Sequence, residues 1–402
     1  MFRIINHLKY FIILSHVISW TASADSIAPV HPAIASAHPL ATQAGYDILS
    51  QGGNAFDAAV AVSAALSVVE PYSSGIGGGA FFLLHRASDS FEVFVDAREK
   101  APGKSDSDMY LDENSNVVPR VSLDGALAAG IPGLAAGLTH VSEKYGVLPL
   151  DQVLAPAISL AENGFSVYER FNTALKVAIA IDVMSPKFLE TFTIDGETPK
   201  VGTLIKQPEL ATTLRVIARQ GHDGFYKSQF TRTMVEESNK NGSIWTTDDF
   251  ANYSIVERKP LKVQFSDYQL TLAPPPSSGG TTIATILNII SEYNYRDMNT
   301  DAFVHLITEA MRRAYKDRSE FLGDPDFVEV PTLKLISHNN AIKHSSSINL
   351  DRATPSKQMG ENDGKDSKEK GTETTHFSIL DKDGNRVATT QTINTWYGSG
   401  YM

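Results

Sequence analysis

Any chemistry in this chain must use hydroxyl, carboxylate, imidazole or amine groups, because its 402 residues include no cysteine. Thiol catalysis, disulfide bonds and thiolate metal sites are thereby excluded. One hydroxyl stands out, that of Thr374, which begins the strand-like run Thr374-Thr-His-Phe-Ser-Ile-Leu380. Residues 354–371, just before it, are rich in Lys, Glu, Asp, Ser and Gly and have almost no apolar side chain. This composition predicts a flexible, exposed segment.

A threonine that begins a strand directly after a flexible segment is typical of an N-terminal-nucleophile hydrolase before processing. Two threonines at a strand start would by themselves indicate only β propensity, so the interpretation depends on the preceding segment. In this chemistry the hydroxyl attacks the carbonyl before it, an N→O acyl shift gives an ester, and hydrolysis frees a new N-terminus. The freed α-amine, whose unperturbed pKa is about 7.7 to 8, then acts as the base for the neighbouring hydroxyl.

A β-hairpin is predicted to position this threonine. Asp383-Gly384 favours a two-residue type I′ loop between the first strand and a second one, Arg386–Ile393. With that loop Thr374 lies opposite Ile393, whereas a register shifted by one residue places Thr392 directly across from Thr374. Both registers bring the start of the first strand beside Thr392 and Asn394.

Helices and strands alternate through the rest of the chain without a clear linker. An Ala/Val-rich helix that follows Asn54 and runs to Val69, with Asp57 three residues after its cap, is apolar nearly all round and should be buried. The glycine run Gly75–Gly79 follows a helix and precedes a strand, the reverse of a phosphate-binding loop, so it predicts a tight loop that another element approaches closely. Further helices are predicted at His38–Ser50, Leu134–Lys144, Leu150–Asn163 and Thr300–Phe321, and strands at Ala80–Leu84, Phe91–Asp96 and within Leu261–Leu272.

The N-terminus and the overall charge restrict location and partners. Basic residues Arg3 and Lys9, an apolar run from Tyr10 to Trp20, and Ala22-Ser23-Ala24 predict a signal peptide over residues 1–24. The alternative, a membrane anchor, is disfavoured because the run is shorter than the roughly 20 residues that span a bilayer. A net charge of −11 and no basic cluster argue against a nucleic-acid partner.

The residues around Thr374 resemble the opening small-subunit signature of the γ-glutamyltranspeptidases. The matching segments there are Thr374-Thr-His-Phe-Ser-Ile, Gly384-Asn-Arg-Val-Ala, Thr390-Gln-Thr-Ile-Asn394 and Tyr397-Gly398. Large-subunit motifs are matched in the family's order by Gly52-Gly-Asn-Ala-Phe-Asp-Ala-Ala59, Gly75-Ile-Gly-Gly-Gly79, Asp96-Ala-Arg-Glu-Lys-Ala-Pro102, Pro274-Pro-Pro-Ser-Ser-Gly-Gly280 and Asp317-Arg-Ser-Glu-Phe-Leu-Gly-Asp-Pro-Asp326. The resemblance extends from about Ile27 to the last residue.

The resemblance implies a role for each matching site residue. Thr374 becomes the nucleophile, and the bond between Glu373 and Thr374 the autocleavage site. Thr392 becomes the hydroxyl that orients the nucleophile, and Asn394 a ligand for the polar head of the glutamyl group. Arg98 becomes the partner of the substrate α-carboxylate, which a planar guanidinium matches in a two-bonded fork. His376 is left out of the catalytic set.

For the whole chain the resemblance implies a four-layer αββα sandwich, an α/β fold of the N-terminal-nucleophile hydrolase type. Residues 25–373 would form the large subunit, ending in the flexible linker 354–371, and residues 374–402 the start of a small subunit that is truncated. The reaction would transfer the γ-glutamyl group of glutathione to water or to acceptor amino acids and peptides, with no metal or organic cofactor. The alternatives are a glutaryl or cephalosporin acylase of the same superfamily and an inactive truncated remnant. An exported, periplasmic or secreted location follows from the predicted leader.

Overall fold

A computed structural model describes residues 29–359 and 373–402 of the chain. The predicted signal peptide and residues 360–371 of the predicted flexible segment lie outside the described residues. Residues 354–359, which were predicted to be flexible, are held in place. The Thr354 backbone N–H and hydroxyl donate to Glu309 at 3.2 and 2.6 Å, and Ser356–Met359 forms a 3-10 turn. The polar composition that begins at residue 354 thus includes residues that make defined contacts up to residue 359.

The strands of the described residues are β1 (Ala33–Ala35), β2 (Gly79–Arg86), β3 (Phe91–Ala97), β4 (Phe165–Ser166), β5 (Leu204–Ile205), β6 (Val256–Arg258), β7 (Leu261–Phe265), β8 (Tyr268–Leu272), β9 (Thr375–Leu380) and β10 (Arg386–Thr392). The central element is a six-stranded antiparallel sheet with the strand order β1-β9-β10-β2-β3-β6. In the same part of the chain, two smaller sheets pair β4 with β5 and β7 with β8. The strand-like stretches predicted within Leu261–Leu272 thus form a hairpin.

The five predicted helices form with bounds that agree to within one residue, and eight further helices lie between and after them in the described residues. They are α1 (Pro39–Ser50), α2 (Ala55–Val69), α3 (Leu134–Tyr145), α4 (Leu150–Asn163), α5 (Glu169–Ala180), α6 (Pro186–Phe192), α7 (Pro208–Tyr226), α8 (Gln229–Lys240), α9 (Thr247–Ala251), α10 (Gly279–Ser291), α11 (Thr300–Phe321), α12 (Thr332–Leu335) and α13 (His338–Ser345). Layered helices and sheet agree with the predicted α/β sandwich.

Helix α2 is the centre of the main core, and every one of its residues is buried. It packs against α1, α3, α4 and one face of β9 and β10. Asn54 caps it as predicted, since its side-chain oxygen accepts from Phe56 N and Asp57 N. The Asp57 carboxylate in turn accepts from Asn54 N at 3.0 Å. Asp57 also accepts from Val147 N, which ties α2 to the α3–α4 loop, and burial raises the pKa of this carboxyl.

The register of the β9–β10 hairpin differs from the first of the two predicted alternatives. Gln391 pairs with Thr375, which puts Thr392 across from Thr374. The loop has three residues, Lys382 to Gly384, and Gly384 has φ 86°, as expected for a turn closed by a left-handed glycine. The shifted register is therefore the one that forms.

Buried Asp381 explains this loop. Its carboxylate accepts from Asp383 N and Asn385 N at 2.9 Å, and from Asn385 Nδ2 at 2.8 Å. It also accepts from Ala55 N at 2.9 Å, at the start of α2. A two-residue type I′ loop would put Asp381 one position away from its place opposite Asn385, so these contacts favour the three-residue loop.

We expect Asp381→Ala to destabilise the fold by about 2–4 kcal/mol, because it removes the acceptor of three backbone N–H groups, among them the buried N–H of Ala55. Urea denaturation measures this change. Asp383→Ala is the matched control, since this side chain is 63% exposed and pairs with Lys382 at the surface, and it should cost less than about 1 kcal/mol. Equal losses in the two variants would contradict the role given to Asp381.

Candidate active site

The hydroxyl groups of Thr374 and Thr392 meet at one end of the sheet. Thr374 Oγ1 donates to Thr392 Oγ1 at 3.2 Å, and Thr374 is exposed whereas Thr392 is 8% exposed. Thr392 Oγ1 also accepts from the backbone N–H of Asn394 at 3.0 Å. A hydroxyl oxygen has two acceptor lone pairs, so these two donors fix the orientation of Thr392. The structure thus places three predicted site residues together.

Asn394 begins the turn that follows β10. Its φ is 77°, a left-handed conformation that asparagine adopts more readily than most residues. Asn394 is exposed, and its backbone N–H contacts the Thr392 hydroxyl. The turn is held from behind, because Tyr397 N donates to Tyr72 O at 3.3 Å and the Tyr397 ring packs against Phe188 and Phe192.

The glycine run lies directly beside this end of β10, because Gly79 pairs with Thr392. A Cβ on Gly78 would lie 2.1 Å from the Thr392 carbonyl oxygen, a distance at which no side chain fits. The Gly78 carbonyl accepts from Gly133 N and Leu134 N at 2.9 and 3.0 Å, at the start of α3. The prediction of a tight loop that another element approaches closely is confirmed.

Arg98 lies at the end of β3, two strands away from Thr392. Its guanidinium pairs with Glu99 at 3.2 Å and lies 5.4 Å from the centre of the Phe81 ring. Its backbone is fixed on both sides, because Arg98 N donates to Asp96 Oδ1 at 3.2 Å and Tyr253 Oη donates to Arg98 O at 2.7 Å. With its side chain 42% exposed, the guanidinium is accessible to a ligand.

Strand pairing arranges these residues in one row. Thr392 pairs with Gly79, Gly79 precedes Ala80, and Ala80 pairs with Ala97, the residue before Arg98. The row Thr374, Thr392, Gly79, Arg98 therefore crosses four adjacent strands at one end of the sheet. With strands about 4.8 Å apart, its two ends are separated by roughly 14 Å along the backbone.

His376 lies two residues beyond Thr374, on the same side of the sheet. Its Nδ1 is 2.8 Å from Thr390 Oγ1 and its Nε2 is 3.4 Å from Ser378 Oγ. Burial lowers the pKa of this imidazole, which favours the neutral form. Both ring nitrogens thus have neighbours within the sheet, in agreement with leaving His376 out of the catalytic set.

Sequence reasoning missed a buried carboxylate behind the row. Glu70, directly after α2, is 3% exposed and accepts from Thr375 Oγ1 and Tyr72 Oη, both at 2.9 Å. Glu99, which pairs with Arg98, was also missed. A charged residue next to a helix that is apolar all round is a signal that could have indicated Glu70.

Residues 41–402 match the family model for γ-glutamyltranspeptidase. The chain belongs to the γ-glutamyltranspeptidase family. It is 40% identical over 394 residues to the glutathione hydrolase proenzyme of Escherichia coli (strain K12), an alignment that covers 96% of this chain and 67% of that protein. It is 39% identical to the glutathione hydrolase proenzyme of Pseudomonas sp. (strain A14), with 94% and 66% covered. The chain thus spans about two thirds of the length of these curated γ-glutamyltranspeptidase relatives.

Solved structures confirm the predicted fold class. The γ-glutamyltranspeptidase of Helicobacter pylori superposes with a TM-score of 0.78 at 40% identity, covering 84% of this chain and 97% of that one. Cephalosporin acylase from Bacillus halodurans superposes with a TM-score of 0.80 at 29% identity, covering 92% and 67%. This chain therefore has the fold that the resemblance implied.

Residues 29–359 and 373–402 contain no candidate metal site and no candidate membrane-spanning helix. No group of three or more His, Asp or Glu side chains in these ranges is arranged to hold a metal ion. None of the helices in this part of the chain combines the length and the apolarity needed to cross a membrane.

We expect Gly78→Ala to destabilise the protein by about 2 kcal/mol or more, since the new methyl group must displace the Thr392 carbonyl. Gly77→Ala is the matched control, because a Cβ there meets nothing within 4 Å. The midpoint of unfolding in urea should fall for Gly78→Ala and stay close to the original for Gly77→Ala. A urea midpoint for Gly78→Ala equal to that of the parent protein would show that the loop can move away from the Thr392 carbonyl at little cost.

Proposed function

We propose that the chain is part of a γ-glutamyltranspeptidase proenzyme that cuts itself before Thr374 and then uses Thr374 as its nucleophile. The proposed substrate is glutathione or a similar γ-glutamyl compound, and the acceptor is water or an amino acid or peptide amine. The observation that carries this proposal is the contact between the hydroxyls of Thr374 and Thr392 at 3.2 Å, next to the bond that follows Glu373.

Processing and turnover use the same oxygen atom. In processing, Thr374 Oγ1 attacks the Glu373 carbonyl, the bond to the Thr374 nitrogen breaks, and that nitrogen leaves as the α-amine. Water then hydrolyses the ester, which gives a carboxylate at Glu373 and a free Thr374. In turnover the α-amine takes the hydroxyl proton, Oγ1 attacks the γ-carbonyl, and the proton passes to the departing amine. Water or an acceptor amine then cleaves the γ-glutamyl ester.

Arg98 and Asn394 would recognise the substrate. Arg98 offers a guanidinium fork to the α-carboxylate, and Asn394 offers its exposed amide to the polar head of the glutamyl group. Thr392 Oγ1 accepts a hydrogen bond from the Thr374 hydroxyl and so orients the Thr374 oxygen. We further propose that residues 25–373 form a large subunit, that Thr374 begins a small subunit, and that the leader 1–24 directs export.

An acylase that takes a glutaryl group is the second candidate, because acylases are among the relatives. The chain is 35% identical over 371 residues to the acylase ACY 1 proenzyme of Pseudomonas sp. (strain V22). A glutaryl group has the terminal carboxylate but lacks the α-amine. Comparing release from γ-glutamyl and glutaryl anilides therefore separates the two: faster release from the glutaryl compound would favour the acylase.

We expect Thr374→Ala to abolish cleavage of the full-length proenzyme, because no hydroxyl remains to attack the Glu373 carbonyl. The parent protein should give two polypeptides, one with Thr374 at its N-terminus, and the variant should stay one polypeptide by intact mass. Thr374→Ser is the control, since it keeps a hydroxyl and should still be cut. Cleavage of the alanine variant at the same bond would refute the assigned nucleophile.

We expect Arg98→Lys to raise KM for a γ-glutamyl anilide about tenfold while cleavage stays intact, since the charge remains and the fork is lost. Arg86→Lys is the control: Arg86 forms a fork with Asp89 at the opposite end of β2. Steady-state kinetics of both processed variants measure the effect. An unchanged KM for Arg98→Lys would remove Arg98 from the site.

A further inference from the structure

Ser63 of α2 and Glu70, the residue directly after α2, are tied to the end of the sheet that carries Thr374. Ser63 and Glu70 lie seven residues apart, on one face of the helix. Gln391 Nε2 donates to Ser63 O at 3.1 Å, and the Ser63 hydroxyl donates to Gln391 Oε1. Thr375 Oγ1 donates to Glu70 Oε2 at 2.9 Å. Because Thr375 and Gln391 are a cross-strand pair, α2 holds both strands at the same level.

The start of β9 needs such a contact. In the described part of the chain β1 pairs with Ser378–Leu380 alone, so Thr375–Phe377 have β10 as their single neighbouring strand. A cut before Thr374 would turn this segment into a chain end, and chain ends fray unless they are tied down. The Thr375 side chain is 3% exposed and faces the helix layer.

Glu70 is itself held firmly. Tyr72 Oη donates to Glu70 Oε1 at 2.9 Å and lies 3.0 Å from Tyr168 Oη, which donates to Val69 O at 2.8 Å. Tyr72 is 0% exposed. A buried carboxylate is costly unless its oxygens are bonded. Both Glu70 oxygens have a donor, Tyr72 Oη on one and Thr375 Oγ1 on the other.

We infer that Glu70 is a positioning residue for Thr374, acting through the hydroxyl of Thr375. It fixes the first residue of β9 and thereby keeps Thr374 Oγ1 against Thr392 Oγ1 after the chain is cut. The inference rests on the proposed function, because it assumes that Thr374 is the nucleophile.

Thr375→Val in the full-length proenzyme is the direct test, since it removes the hydroxyl and keeps the shape. We expect kcat for a γ-glutamyl anilide to fall about tenfold, because small misplacements of reacting groups cost that much or more, while KM stays within about twofold. Thr375→Ser should restore kcat, and Glu70→Gln should lower it by a smaller factor, because an amide can accept one of the two hydroxyl protons.

Thr389→Val is the matched control for this substitution. Thr389 lies on β10, faces the same helix layer, is 0% exposed, and its Oγ1 has no hydrogen-bond partner among the described residues. The control should keep both kcat and KM. Amide hydrogen exchange at residues 375–377 should be faster in Thr375→Val than in Thr389→Val, which reports on the strand end independently of activity.

The outcomes separate this inference from the proposed function. If Thr374→Ala is still cut, the proposed nucleophile is wrong and this inference fails with it. If Thr374→Ala is not cut but Thr375→Val has the kcat of Thr389→Val, the proposed function stands and the role of Glu70 is refuted. Faster exchange with unchanged kcat, or failure of Thr375→Ser to restore kcat, would likewise show that the contact is structural.

Discussion

The register of the β9–β10 hairpin decides which side of the sheet each of its hydroxyls occupies. Residues directly opposite each other in an antiparallel pair share a face, and a shift of one residue reverses the face of one strand. With Thr375 paired to Gln391, the hydroxyls of Thr374 and Thr392 lie on the same side. In the other register Thr374 and Thr392 would point to opposite sides, and the contact on which the proposed chemistry depends could not form.

This register is set by contacts far away in the sequence. The carboxylate of Asp381 joins the hairpin loop to the first turn of α2, and Glu70 and Ser63 join the other end of the hairpin to the end and middle of the same helix. Contacts at both ends of the hairpin therefore align it along helix α2. Since α2 is buried throughout, it cannot shift without disturbing the core. The strands that are hydrogen-bonded to it are therefore held in place as well.

Local sequence signals predicted what depends on local physics. Apolar periodicity and the Asn54 cap located the helices, and strand propensity located β2, β3, β9 and β10. Thr392 and Asn394 could be placed beside Thr374 because one hairpin contains all three. The loop length was predicted wrongly, because the contact between Asp381 and Ala55 spans most of the chain and leaves no local pattern. Arg98 could be assigned only through the family motif, and Glu70 was missed because its partner Thr375 was read as ordinary strand sequence.

One face of the sheet carries side chains that fix the backbone, and the other face carries the groups proposed to react. Side chains that face α2, such as Thr375 and Gln391, are buried, and their contacts fix the backbone. Their neighbours on the other face, such as Thr374 and Arg98, are accessible and carry the groups proposed for chemistry. Alternation along a strand makes this division obligatory, because each residue that anchors the backbone leaves the next one free to face a substrate. A nucleophile that directly precedes β9 is therefore best supported by the first residue of that strand, Thr375, whose hydroxyl contacts Glu70.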